Sequence, residues 1–380
     1  MAAKSIGIGI IGCGFMGKTH TYGAKTLPLH YENLPFLPRL IGVCDVNLDE
    51  AQKMKDQNGF DFATSNLEEL LARKDIDAVT VSTPNVFHKA AILSALAAGK
   101  HVYCDKPLAA DYAGAVEVSG VWRKSGLIAQ VAHQFRCFPA VMRAKQLIEE
   151  GRIGAIMSFH GAYLHSGSID KNKPMGWKQD KTMGGGGVLF DLGSHILDLL
   201  YNLLGEFSEI FASTRILYPE RPNAKGELVK IDADDSAWIL LKLPGGAQGM
   251  VEASKIYTGT NDDFTFEIYG DKGALRFDSN LPNWLEFFDN SRPEKALGGE
   301  RGYTRIETMS AFEKPGGSLP PSKFPIGWIR SHVHSFYNFC NSVYTGTPAS
   351  PSFDDGTYIL KILETAYASA EEGRWKTIRP

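Results

Sequence analysis

The feature that most restricts the fold lies at the start of the chain. Ser5–Ile11 is a β-branched run of strand length that passes directly into Gly12-Cys13-Gly14-Phe15-Met16-Gly17, and a helical pattern follows through Leu27. So sharp a turn from strand to helix needs residues without a Cβ. Gly12 allows the turn, Gly14 lets a ligand approach the backbone, and Gly17 lets helix and strand pack closely. The amides of Phe15 and Met16 then stand at a helix start, where unpaired N–H groups and the helix dipole attract an anion such as a pyrophosphate. A second strand, Arg39–Asp45, ends on an acid. That carboxylate is placed to accept hydrogen bonds from both ribose hydroxyls and to repel a 2′-phosphate, which favours NAD over NADP. Asp45 lies farther past Gly17 than usual, and the insert from Pro28 to Pro38 explains this if it loops out.

The rhythm continues with helical patterns at Leu48–Asn58, Leu67–Ala72, Lys89–Ala98 and Tyr112–Lys124, and strands at Ala78–Ser82, His101–Cys104 and Ile128–Ala132. Strands alternating with helices predict a doubly wound parallel sheet covered on both faces. Beyond about residue 130 the texture changes to alternating runs, Ile156–His165, Ser236–Leu243, Gln248–Lys255 and Phe264–Tyr269, which predict a half-buried antiparallel sheet. The expected division is therefore residues 1–130 and 131–380. Residues 290–328, with five prolines and several glycines, are expected to run over the surface without regular structure. Thr357–Glu371 returns to helical spacing and is expected to pack back on the body.

Composition narrows the partners. Forty basic and 43 acidic side chains give a net charge of −3 without any block of one sign, so neither nucleic acid nor an anionic membrane is expected. A small ligand is expected instead. The cysteines at 13, 44, 104, 137 and 340 show no paired spacing, which fits a reducing compartment, and Met1–Ile11 leads into the glycine loop and not into a cleavage site. A cytoplasmic location is the expectation.

Four stretches coincide: Gly12–Gly17, Ser82-Thr83-Pro84-Asn85 with His88, Cys104-Asp105-Lys106-Pro107-Leu108, and Gly185-Gly186-Gly187-Val188-Leu189-Phe190-Asp191-Leu192-Gly193-Ser194-His195. Together, over nearly the whole chain, they resemble the Gfo/Idh/MocA oxidoreductases. The resemblance implies an α/β fold: an N-terminal Rossmann domain, then a C-terminal α/β domain whose open, mainly antiparallel sheet builds dimers or tetramers. It also implies that Thr83, Pro84, Asn85 and His88 line the adenosine and ribose side of NAD. Lys106 stands at the family's active-site lysine, and Asp191 and His195 at its acid and base pair. Asp105 stands where the family more often has Glu, so its reach to the nicotinamide ribose is shorter. Gln134 and Arg136 are candidates for cofactor or substrate contact, and Trp177 and Lys178 for the approach to the nicotinamide. The Gly14-Phe15-Met16-Gly17-Lys18 stretch with His20, and the long first insert, are most similar to family members that oxidise a glycoside or anhydrosugar ring at C3.

Oxidising a secondary alcohol with NAD needs a base, a cation that favours the alkoxide, and a scaffold that orients the carbinol. If Val188–Leu203 is one helix, Asp191 and His195 share a face, and the carboxylate can orient the imidazole, the base. Lys106, after a parallel strand, sits where ligands bind in doubly wound folds and supplies the cation. Gly184–Gly187 form a turn open to cofactor or sugar. Tyr163 and His165 alternate on one strand face and are candidates to touch the sugar, although core or interface packing is the commoner fate of such a Tyr. Asp198 shares the helix face of His195, and His332 and His334 are weaker pocket candidates. Outside this context an Asp–His pair at helical spacing is more often a surface pair, and a zinc site lacks a third ligand at a recognisable spacing, so no metal is expected. The substrate class is a carbohydrate or polyol. Two alternatives stand beside a dehydrogenase: a glycosidase or isomerase that retains NAD through transient C3 oxidation, and a non-catalytic NAD-binding regulator.

Overall fold

The computed structural model describes residues 3–378 and divides into two compact units. The first comprises the chain up to Cys137 with Ala311–Ser322 and Gly327–Leu360; the second comprises Phe138–Ser310, Lys323–Ile326 and the chain from Lys361.

The first unit is built on a six-stranded parallel sheet of β1 (Lys4–Ile11), β2 (Phe36–Cys44), β3 (Phe62–Thr64), β4 (Ala78–Val81), β5 (His101–Cys104) and β6 (Ala129–Val131), in the order β3-β2-β1-β4-β5-β6. Its central strands are buried on both faces, which is why they read as continuous apolar runs. One face is covered by the helices Phe15–His30 and Trp328–Thr345. There Ile6, Ile8 and Ile10 pack with Ala24, Leu27, Val333, Phe336 and Phe339. A division at residue 130 is thus corrected: a late helix returns to this sheet because its apolar face is complementary to it. The loop expected at 28–38 is corrected as well. The first helix continues through Pro28 to His30, and β2 begins already at Phe36. The insert is held by burial of Tyr31 and Phe36, with Tyr31 stacked on Tyr337 at 4.0 Å between ring centroids.

The second unit carries a nine-stranded mixed sheet. Its strands are β7 (Ile156–Leu164), β8 (Glu209–Arg215), β11 (Ser236–Lys242), β12 (Gln248–Ser254), β13 (Asp263–Gly270), β14 (Gly273–Asp278), β15 (Trp284–Asp289), β16 (Tyr303–Glu307) and β17 (Lys376–Thr377). A separate hairpin is formed by β9 (Glu220–Pro222) and β10 (Leu228–Lys230). The order is β16-β15-β14-β13-β7-β12-β11-β8-β17; β12 and β7 run parallel and the other pairs antiparallel. Alternation is clean: Phe264, Phe266 and Ile268 point inward, and Trp238 and Leu240 are exposed. The helices Pro139–Glu149 and Ser194–Leu204 cover the inner face, and Gly161 of β7 gives the latter room, since a Cβ there would lie 2.7 Å from Ile196. The stretch expected to be irregular contributes β16, and its Ala311–Ser322 part belongs to the first unit. The last helix is longer than expected, Phe353–Glu372.

Among the described residues no helix is long and apolar enough to cross a membrane. All five cysteines are buried.

Candidate active site

The glycine loop has the geometry that a pyrophosphate requires. Gly12 has φ +98°, and a Cβ on Gly17 would lie 1.9 Å from the Gly12 carbonyl oxygen, so both positions exclude a side chain. At Gly14 a Cβ would meet nothing within 4 Å, and no side chain caps the helix that starts at Phe15. The backbone there is open to an anion at a helix N-terminus. Asp45 shapes this loop directly: Oδ2 accepts from Cys13 N at 2.7 Å and Oδ1 from Asn47 N at 2.9 Å. Each oxygen keeps a further lone pair for a ribose hydroxyl. Ser82 Oγ donates to the carbonyls of Ile11 and Gly12 at 3.0 Å. Phe15 is exposed and stacks on Trp328 at 5.7 Å. These residues fit a dinucleotide.

Thr83, Pro84 and Asn85 form the turn after β4, with Asn85 opening a short 3-10 turn. Lys106 and Asp105 follow β5, both half-buried, at the carboxyl edge of the sheet. His88 is fully buried, and its ring nitrogens face the carbonyls of Thr83 at 2.9 Å and Pro107 at 2.8 Å. Burial holds its pKa below the usual histidine range. The expectation that His88 lines the cofactor is therefore corrected: it braces the Thr83 turn against the Lys106-Pro107 turn from beneath. The Arg136 side chain is 9% exposed, with its guanidinium 3.6 Å from the Asp355 carboxylate and 3.5 Å from Ser350 Oγ. Gln134 is buried in the adjacent 3-10 turn. His334 bonds Tyr31 Oη through Nδ1 at 2.7 Å, and His332 is buried against Trp328, so both belong to the packing of the first unit.

In the second unit the glycine run is fixed by Asp234. Its buried carboxylate accepts from Gly187 N at 3.1 Å, Leu189 N at 3.0 Å and the Tyr367 hydroxyl. Val188 N also donates to the Asp234 carbonyl at 2.7 Å. This anchoring starts a π-helical turn, Leu189–Gly193, before the α-helix Ser194–Leu204. The uninterrupted helix expected from Val188 is thus corrected. A π-turn is wider than an α-turn and is often found at functional sites. Asp191 lies on this turn, with Oδ1 2.7 Å from Lys178 Nζ and Oδ2 2.8 Å from Lys255 Nζ. His195 is buried, and the ring of Tyr163 meets it edge-on at 5.6 Å. Tyr163 Oη donates to Asp262 Oδ1 at 2.7 Å, and His165 Nε2 lies 2.8 Å from the same oxygen. Burial first, then the nearby Asp262 and Asp191 carboxylates, push the Tyr163 hydroxyl well above its ordinary pKa. Asp198 is buried on the helix after His195, and Trp177 is exposed in a 3-10 turn beside Lys178.

Three residues went unread in the sequence: Lys255, Asp262 and Asp234. A lysine ending a strand reads as solvated, and Asp234-Asp235 and Asn261-Asp262-Asp263 read as turns. Only contacts distant in sequence reveal their partners. Among the described residues no group of three or more His, Cys, Asp or Glu side chains could hold a metal ion.

Residues 6–133 match a model described as an oxidoreductase family with an NAD-binding Rossmann fold, and residues 141–276 match a GFO/IDH/MocA C-terminal domain. The chain is 31% identical to levoglucosan dehydrogenase of Pseudarthrobacter phenanthrenivorans over 98% of each protein. It is 26% identical to myo-inositol 2-dehydrogenase of Thermotoga maritima over 97% of each. A solved levoglucosan dehydrogenase in complex with NADH and levoglucosan superposes with a TM-score of 0.94 at 32% identity, covering 99% of this chain and 100% of that one. With a nucleotide loop built for a dinucleotide and matches that run from end to end, this chain belongs to the Gfo/Idh/MocA family and is an NAD-binding oxidoreductase.

Proposed function

We propose that the protein oxidises a secondary ring hydroxyl of a carbohydrate, anhydrosugar, glycoside or inositol, with NAD as acceptor. What carries this is that the ammonium, imidazole and carboxylate needed for alcohol oxidation are Lys106, His195 and Asp191, in a chain similar throughout to dehydrogenases named for levoglucosan and myo-inositol. Bound NAD supplies the hydride acceptor. Gly12, Gly14, Phe15, Met16 and Gly17 hold its pyrophosphate, Asp45 its adenosine ribose, and Thr83, Pro84, Asn85 and Asp105 its further contacts, with Trp177 and Gln134 toward the nicotinamide. Lys106 donates a hydrogen bond to the reacting hydroxyl oxygen and lowers its pKa. A ring nitrogen of His195 takes the hydroxyl proton as the carbinol hydrogen leaves as hydride, so the ketone forms with no proton left on its oxygen. Asp191 accepts from a substrate hydroxyl and favours the imidazolium. Tyr163 and His165, fixed by Asp262, offer further sugar contacts. The exposed sheet face with Trp238 and Leu240 suits assembly into a dimer or tetramer, and a cytoplasmic enzyme fits the composition.

The test is a spectrophotometric screen of the protein with NAD or NADP against anhydrosugars, glycosides, hexoses and inositols. NADH should form in step with product. Product without NADH release identifies the NAD-retaining alternative, and NAD binding without turnover across the panel identifies the regulator. Lys106→Met and His195→Ala should each cut turnover by about 10²–10⁴-fold while NADH binding persists. Full activity in either variant removes the role assigned to that residue.

A further inference from the structure

The Asp191 carboxylate lies between two ammonium groups that differ in character. Its side chain is 13% exposed; Lys255, on Oδ2, is 16% exposed, and Lys178, on Oδ1, is 47% exposed. Lys255 is fixed by its backbone on both sides. Its amide donates to the Asp235 carbonyl at 2.9 Å, and its carbonyl accepts from Ser168 N at 2.9 Å. It directly follows β12, whose Ser254 carbonyl accepts from His165 N at 2.7 Å. Lys178 instead stands on a single 3-10 turn, Trp177–Gln179. A carboxylate this far from water needs a partner of opposite charge, and the geometry of that partner decides where its lone pairs point. The rigid, enclosed cation is Lys255.

We propose that Lys255 is a positioning residue of the dehydrogenase: its ammonium orients the Asp191 carboxylate on the π-turn so that Oδ1 is presented to a substrate hydroxyl. Lys178 is the outer cation on Oδ1, the position that a substrate hydroxyl takes over. This rests on the function proposed above. The hydroxyl of Tyr163 feels the Asp191 charge, and its ring in turn meets that of His195. Removing the positive charge of Lys255 raises the pKa of every acid near it, the imidazolium included.

The experiment compares K255M, K255R and K178M with the wild type on the best substrate of the screen. K255M should lower kcat by about 100-fold, as a misplaced catalytic group does, and leave the KM for NAD unchanged. The acidic limb of its kcat/KM profile should move up by about one pH unit. K255R should restore most of kcat and the position of the limb, and K178M should act chiefly on substrate KM, because a half-exposed ion pair is worth little. An unshifted limb with full kcat in K255M overturns the proposal, as does a kcat loss in K178M equal to that in K255M. Crystal structures of wild type and K255M give a readout independent of turnover: the Asp191 carboxylate should rotate in the variant, and an unmoved carboxylate also overturns it. If K255M does not fold, K255Q takes its place in both measurements. If the wild type turns over nothing in the screen, the dehydrogenase reading fails, while the two crystal structures still decide whether Lys255 orients Asp191.

Discussion

The amide of Cys13 donates to Asp45 Oδ2 at 2.7 Å, so the acid that ends the second strand is also a strut of the glycine loop. One carboxylate thereby couples the shape of the pyrophosphate cradle to the choice of ribose. Asp45→Asn should weaken NADH binding by about 10-fold or more, since a hydrogen bond to a charged group contributes about 1.5–3 kcal/mol. NADPH should lose less, because a repulsive charge disappears with the carboxylate. Fluorescence titration with both nucleotides measures this, and equal losses would deny Asp45 any part in discrimination.

Two glycines of the loop separate folding from binding. Gly17→Ala places a Cβ 1.9 Å from the Gly12 carbonyl oxygen, so the first unit should be strongly destabilised and melt at lower temperature. Gly14→Ala meets no atom within 4 Å, so the melting temperature should stay within a few degrees while NADH affinity falls. A Gly14→Ala protein that binds NADH normally would show that the cofactor does not approach that backbone.

Asp234 should behave as a keystone of the second unit. Its removal leaves the buried amide of Leu189 and the Tyr367 hydroxyl without their acceptor, while the Gly187 amide keeps the Tyr367 hydroxyl oxygen at 3.0 Å. At about 1–3 kcal/mol for each unsatisfied buried group, Asp234→Ala should cost about 2 kcal/mol or more, and Tyr367→Phe about 1 kcal/mol. Urea denaturation of the two variants measures both, and equal midpoints for Asp234→Ala and wild type would show that the π-turn is held by other contacts.

Acid should destabilise the protein through its buried histidines. Burial lowers the pKa of His20 to about 4 and that of His334 to about 3, and holds His332 well below the ordinary value. These rings stay neutral in the folded state, whereas in the unfolded chain they bind a proton near the ordinary histidine value of 6.5. Between pH 6.5 and about 4 the unfolded chain therefore binds more protons, and stability falls as pH drops through that window. Each such ring contributes about 1.4 kcal/mol per pH unit there. His20→Asn should flatten the pH dependence of urea unfolding in this range, and an unchanged slope would show that His20 is not a buried neutral ring.

Local chemistry was legible where the physics is local. The glycine loop, the parallel strands and the alternating strands each declare themselves through Cβ sterics, burial on two faces or burial on one. The insert after Pro28 reads as a loop because Tyr31 and Phe36 look like loop residues until the helix Trp328–Thr345, hundreds of residues away, buries them. The resemblance sets His88 at the cofactor, whereas the structure seats its buried ring on two backbone carbonyls.

What the sequence by itself determined is the nucleotide half of the protein: a strand, three glycines and an acid whose roles follow from backbone sterics and charge within a short span. What only the tertiary structure decided is the company of Asp191. Lys178 and Lys255 reach it from a turn and a strand end that no spacing rule connects, and Asp234 shapes its π-turn from the loop that precedes β11. An ion pair between distant residues leaves no periodicity in a chain, because its energy depends on separation in space and not on separation in sequence.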